Sequence, residues 1–375
     1  MRSLKHLLLA MVAVAGLLLG GCGDDNDTIV VVPNNGKFLY ANNDATVNSV
    51  SAFAIRANGT LVELAGSPFA TGGAGSIGGY YASNKIALAR TKKLLFASNA
   101  ADSTISVFAM SSVSGELVAI GLPVASGGTM SSGGTLAVDA NENFLFVGNS
   151  GTNNISVFAI AADGTLTPVL GSPFSIGAGI DAAGLTLNSV GSTLYIGAPA
   201  ANLLVVMDVA VDGTLTQVAG SPFAFDTNSF ALVSSTLAVG GTAGGILSSY
   251  NIDSNGDPVL LDTLTLAGSN NQCVSATRSG SLAILSGGNT NSIAMINLAS
   301  NGTLSLVAGS PFPTSAVTSG YAIASPNGKV LFATEADFGG INQIEAFVID
   351  SDGALTTRGT YPLDSLGYTT SLVIY

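Results

Sequence analysis

A phrase of about 49 residues recurs seven times in this chain, and that repeat restricts the fold more than any other feature. Each unit begins with an apolar strand such as Lys37–Asn42 and continues with an alternating strand such as Ile155–Ile160. A glycine turn, a Thr-Leu step and a further strand follow. The turn glycines are Gly59, Gly115, Gly164, Gly213, Gly256, Gly302 and Gly353, spaced 56, 49, 49, 43, 46 and 51 residues apart. Six of the turns read Asn-Gly or Asp-Gly, the pairs that supply the positive φ a tight hairpin needs. A short apolar strand such as Gly134–Val138 or Tyr321–Ala324 precedes each unit, which makes four strands per repeat.

Four antiparallel strands in about 49 residues is the size of a propeller blade. The fold class expected is therefore all-β: a seven-bladed β-propeller of four-stranded antiparallel blades over residues 37–375. A β-helix or open solenoid is the alternative, but its rungs are shorter and lack such hairpins. Blades packed face to face bury both sides of most strands, which accounts for a mean hydropathy of +0.52. The first unit starts at its second strand, and residues 368–375 read as a first strand without a blade. The C-terminal strand is expected to pair into the N-terminal blade and close the ring. Gly-Ser-Pro-Phe recurs at 66–69, 171–174, 220–223 and 309–312. It is expected at the end of the fourth strand, where proline blunts an outer edge.

The first 21 residues read as an address. Arg2 and Lys5 precede an uncharged run, Leu7–Gly20, too short to span a bilayer. The run ends Leu19-Gly20-Gly21-Cys22, which resembles the lipobox of bacterial lipoproteins. That resemblance implies cleavage before Cys22, lipidation of its thiol and a stable anchor, with residues 22–36 as a polar tether. It implies the cell envelope, with the outer membrane favoured by Gly23, and contact with a membrane through the lipid alone.

The repeated wording, Gly36–Asn43 and then VSAFAIRANGTLVELAGSPFATG over 50–72, resembles the seven-bladed lactonase-like propellers, related to bacterial YVTN-type surface propellers. The resemblance spans residues 37–375. It implies the fold and, since cytosolic members include 6-phosphogluconolactonases, a lactone hydrolase as one activity. The repeated residues are strand and turn residues, so no catalytic set is carried over.

Cleavage would remove His6, the one histidine, and with it any Ser-His-Asp, Cys-His or His-zinc chemistry. With 23 acids against 11 bases, a nucleic-acid partner is excluded. No cofactor and no metal is expected. Gly73-Ala-Gly75-Ser-Ile-Gly78 matches G-x-G-x-x-G but opens no helix, so it reads as an inter-blade loop. Asp253–Asp257 has the oxygen spacing of a calcium loop but occupies a hairpin-turn position. Cys273 reads as a small buried hydrophobe. The basic cluster Arg90, Lys92 and Lys93 falls on the face opposite the usual ligand mouth.

That mouth is lined by inter-blade linkers and by loops between second and third strands. Its polar candidates are Asn42, Asn99, Asn149, Asp181, Asp226, Asp337 and Tyr368, with Glu335 as the best placed general base. Two readings follow. The first is a non-catalytic binding or scaffold module that presents its mouth to a protein or carbohydrate partner. The second is a lactonase-like hydrolase in which a mouth carboxylate activates water.

Overall fold

The structure is a computed structural model that describes residues 37–77, 84–131, 134–227, 229–242, 244–266, 273–287, 290–316, 320–336, 341–363, 367–369 and 371–375. The leader, Cys22 and the tether lie outside the described residues, as does Asp337.

Strands Phe38–Asn42 and Ser49–Ile55 show why the chain builds blades rather than a one-sided sheet. Their side chains alternate in direction, and both directions are apolar. Leu39, Ala41, Phe53 and Ile55 pack against Val330 and Phe332 on one side. Tyr40, Val50 and Ala52 pack against Leu95 and Phe108 on the other. A strand with two apolar faces needs a sheet on each side of it, and seven sheets that meet this need in turn make a ring.

The seven sheets are antiparallel. Blade 1 takes its inner strand from Ser371–Ile374, followed by Phe38–Asn42 and Ser49–Ile55. The inner strands of blades 2 to 7 are Ile86–Ala89, Leu136–Val138, Gly184–Leu187, Ser229–Leu232, Cys273–Ala276 and Ala322–Ala324. The ring closes as expected, with Leu39 opposite Ile374 and Asn42 opposite Ser371. Each inner strand touches the next all the way round. Hydrogen bonds also join the inner strands of neighbouring blades. Ser371 Oγ accepts Lys85 N–H at 2.9 Å, Asn84 O accepts Leu136 N–H at 2.7 Å, and Ser229 Oγ accepts Val274 N–H at 2.6 Å.

The turn glycines do more than permit a hairpin. Gly59 has φ +86, as its turn requires. At Gly115 a Cβ would lie 2.5 Å from the Phe38 ring of the preceding blade, so only glycine lets the two blades meet there.

The structure corrects the placing of Gly-Ser-Pro-Phe. It does not end the outer strand but interrupts it. In blade 1, Leu61–Glu63 and Phe69–Ala70 both pair with the same third strand, Ser49–Ile55. The Ser-Pro bond between them is cis, and the same holds in blades 3, 4 and 6. The reason lies in the serine. Its hydroxyl accepts the third-strand N–H that the interruption would orphan: Ala52 N–H to Ser67, Val157 to Ser172, Val206 to Ser221 and Met295 to Ser310, at 2.8 to 3.0 Å. Blades 5 and 7 lack the motif, and their outer strands, Pro258–Thr265 and Leu355–Pro362, run unbroken.

Candidate functional site

Inner strands run from the linker end of the ring to its turn end, with their free edges towards the axis. On the side of blades 4, 5 and 6 they leave a cavity of about 390 Å³, within the range of small-molecule sites. Gly184–Thr186, Ser229–Val233 and Val274–Arg278 form most of its wall, completed by Asn84, Thr227 and Tyr321. Gly184 lies opposite Gly197 in blade 4. A Cβ on Gly184 would meet nothing within 4 Å, and one on Gly197 would meet only the Gly184 carbonyl, at 4.0 Å. This glycine pair strips one wall of side chains. Asn84 of blade 2 donates to the Leu185 carbonyl at 3.0 Å and fixes the opposite side.

The rest of the lining is hydroxyls, aromatic rings, the aliphatic residues Leu185, Ala231, Leu232, Val233, Val274 and Ala276, and one cation. Thr186, Thr227, Ser229, Ser275 and Thr277 supply hydroxyls. Burial pushes the Tyr321 phenol up to about 12, so it stays a hydrogen-bond donor at neutral pH. Arg278 is exposed where the inner strand of blade 6 turns. Arg90 of blade 2 feels it. The Arg90 guanidinium is lowered first by burial and then by the like charge of Arg278. The basic residue at the cavity is thus Arg278, which sequence reasoning missed. The predicted neighbour Lys92 is committed elsewhere, its Nζ donating to the Glu142 and Ile160 carbonyls at 2.5 and 2.6 Å.

The residues expected at the mouth do not converge on this cavity. Asn42, Asn99, Asn149 and Tyr368 are buried. Asn42 donates to the Lys85 and Ser98 carbonyls at 2.9 and 3.0 Å and ties blade 1 to blade 2. Asn99 donates to Thr104 and Ser106, and Asn149 to Asn154 and Ser156, each at 2.8 to 3.0 Å. In blade 1 the matching amide is Asn43, which donates to Ser49 and Ser51 at 2.8 and 2.9 Å. Tyr368 donates its N–H to the Asn43 carbonyl at 2.9 Å. Burial replaces solvent access because these polar groups serve the junctions between blades. Asp226 is exposed. Asp181 is half-buried on the linker that enters blade 4. Burial raises its carboxyl, and Oδ1 has no hydrogen-bond partner among the described residues.

Glu335 is fully buried rather than open to a mouth. It accepts from Gln343 Nε2 at 2.5 Å, Ser315 Oγ at 2.9 Å and Ala316 N–H at 3.2 Å. Burial, together with contact with the neighbouring carboxyl of Glu345, pushes Glu335 up to about 7. Glu345 is 2% exposed, so the pair of carboxyls exists but opens on no described pocket.

A buried ion pair escaped the sequence, which offered Asp44 only as a polar group at the mouth. Lys85 and Asp44 are both buried, with Lys85 Nζ 2.6 Å from Asp44 Oδ2. Asp44 also accepts from Ser76 N–H at 2.9 Å and Ser76 Oγ at 3.1 Å, which pins the loop of the G-x-G-x-x-G match to blade 1. Lys85 holds the inner-strand position filled by Gly184 in blade 4 and Ser229 in blade 5. That alignment with the smaller residues is the signal that would have found it. Cys273 is buried and burial pushes its thiol up to about 12, which suits a packing role. Asp253 Oδ1 accepts from Asn255 and Asp257 N–H at 2.7 and 2.9 Å, which makes that segment a turn.

Comparison with known proteins places this architecture. Residues 30–179 match the family model described as a lactonase, seven-bladed β-propeller. No curated protein matches the chain in sequence. Among solved structures, a candidate 6-phosphogluconolactonase of Bacteroides uniformis superposes with a TM-score of 0.72 at 17% identity, over 90% of this chain and 98% of its own. The periplasmic gluconolactonase of Pseudomonas aeruginosa gives 0.73 at 15%, over 90% and 98%. At such identities the likeness is one of fold.

Proposed function

Starting from a chain with the seven-bladed propeller fold whose residues 30–179 match the lactonase family model, we propose that its axial cavity binds a sugar-derived lactone and opens it to the acid. The observation that carries this reading is the cavity itself: about 390 Å³, with five hydroxyl side chains and a bare glycine pair set among aliphatic and aromatic residues, and Arg278 at one end. Hydroxyl walls suit a polyol ring. A guanidinium suits the carbonyl oxygen of a lactone, and it suits the carboxylate of the product better.

Opening a lactone needs a water, a base and a place for negative charge. Asp181 is the carboxyl we assign as base. Its raised pKa and free Oδ1 support that role; it stands three residues before the cavity wall at Gly184 and is not itself a lining residue, so the role requires it to reach the lactone through a bridging water. Water adds to the carbonyl carbon as its proton passes to Asp181. The bond from that carbon to the ring oxygen then breaks, and the ring oxygen takes the proton back. The Tyr321 phenol and Arg278 are the donors offered to the oxyanion.

A second reading has its own support: no carboxyl lines the cavity among the described residues, which suits a binder of sugar acids that does not turn them over. Two measurements separate the readings. Hydrolysis of a panel of aldonolactones is followed with the wild type and with Asp181→Asn, and binding of the matching aldonates is followed by calorimetry. Turnover that Asp181→Asn abolishes, with aldonate binding kept, supports the hydrolase. Aldonate binding without turnover of any lactone supports the binder, and neither turnover nor binding refutes both.

We also propose that Cys22 anchors the protein to the cell envelope. The run before it supports this. Mass measurement of the N-terminal peptide of the native protein tests it: a diacylglyceryl mass on Cys22 is expected, and an unmodified or uncleaved N-terminus contradicts it.

A further inference from the structure

The end of the second strand is a repeated fixing point. Asn99 lies opposite Thr104, Asn149 opposite Asn154 and Glu335 opposite Gln343. The next inward-facing residues of the third strand are Ser106, Ser156 and Glu345. In blades 2 and 3 the set is therefore Asn, Thr or Asn, and Ser. In blade 7 it is Glu, Gln and Glu.

The preceding linker rests on this point in each case. Ser106 Oγ donates to the Thr71 carbonyl at 2.8 Å, and a Cβ on Gly73 would lie 2.5 Å from the Asn99 amide. A Cβ on Gly128 would lie 2.8 Å from Asn149. In blade 7 the linker is Thr314–Ala316. Ser315 N–H donates to Glu345 at 2.8 Å, Ser315 Oγ to Glu335 at 2.9 Å and Ala316 N–H to Glu335 at 3.2 Å. The same linker is thus held by amide and hydroxyl groups in two blades and by two carboxyls in a third.

Two buried carboxyls in contact cannot both carry charge without repulsion that the linker N–H groups must offset. We propose that Glu335 and Glu345 form a proton-operated latch, which holds the blade 6–7 linker while the two share a proton and releases it when the proton leaves. The groups facing the pair are Gln343 on the third strand, Thr357 on the outer strand, at 3.2 Å from Glu345, and Ser315 and Ala316 on the linker. Each of these is uncharged, so among the described residues the pair meets no cation that would hold both carboxylates in place. Tyr321 of the axial cavity follows the linker in the chain.

The direction follows from the proton. Glu335 is raised from its ordinary 4.5 to about 7, so the folded protein keeps a proton that the unfolded chain has lost. The latch is closed below about pH 7 and opens above it. Amide hydrogen exchange of the full chain tests this at Ser315 and Ala316, corrected for the intrinsic pH dependence of exchange. Protection is expected to fall about tenfold between pH 6 and pH 8 in the wild type. Glu335→Gln, which mimics the protonated acid, is expected to keep its protection at both values. The triple variant Glu335→Asn, Gln343→Thr and Glu345→Ser installs the set of blade 2 and gives a second pH-independent reference. Equal protection of the wild type at both values overturns the latch, and so does an equal fall in Glu335→Gln or the triple variant.

Discussion

Gly184 and Gly197 face each other across the first two strands of blade 4, and neither position would bring a Cβ into contact with a side chain. A paired loss of side chains at facing strand positions beside the cavity marks a space kept open.

Filling that space should cost binding without costing the fold. Gly184→Phe sends its ring into the cavity, since neither its φ nor its neighbours oppose a Cβ. The melting temperature is expected to stay within about 3 °C of the wild type. Calorimetry should show affinity for an aldonate reduced by at least about tenfold.

Closure of the ring rests on a few buried side chains. Leu372 and Ile374 pack with Leu39, Phe53 and Val330. Leu372→Ala and Ile374→Ala should each lower stability by about 2–5 kcal/mol, read by denaturant unfolding. Val113→Ala, at an exposed side chain, should cost less than about 0.5 kcal/mol.

The interrupted outer strands make a prediction that repeats four times. Removing the hydroxyl at Ser67, Ser172, Ser221 or Ser310 leaves one third-strand N–H without its acceptor. Each Ser→Ala change should cost about 1–3 kcal/mol by denaturant titration, and the four costs should be alike.

The buried pair Lys85–Asp44 should behave as a coupled unit. Lys85→Met leaves Asp44 charged and buried and should cost about 3–5 kcal/mol. Adding Asp44→Asn should recover most of that loss. A double-mutant cycle measures the recovery as a coupling energy, and additive single costs would contradict it.

The fold was legible because its signals are local. An Asn-Gly or Asp-Gly turn announces this hairpin in six of the seven units, and the spare strand at 368–375 announces the closure. The site was legible only in part, because its geometry depends on register. Asn42 and Asn43 are adjacent in the chain, yet one bridges to blade 2 and the other matches Asn99 and Asn149. Glu335 was singled out as an acid in a loop region, but alignment with Asn99 shows it to be a fixing point for the linker. The cavity left no mark on the sequence, because its wall gathers residues from Asn84 to Tyr321 through four inner or second strands and the segments that flank them. Gly-Ser-Pro-Phe was visible but misplaced, since only pairing reveals that one strand serves both halves of the outer edge.

The most direct test soaks the crystalline wild-type protein with an aldonate and locates the ligand by difference density. The account predicts density between Gly184, Ser229 and Ser275 with the carboxylate turned to Arg278. Density confined to the outer surface of the ring, with an empty axial cavity at saturating ligand, would contradict it.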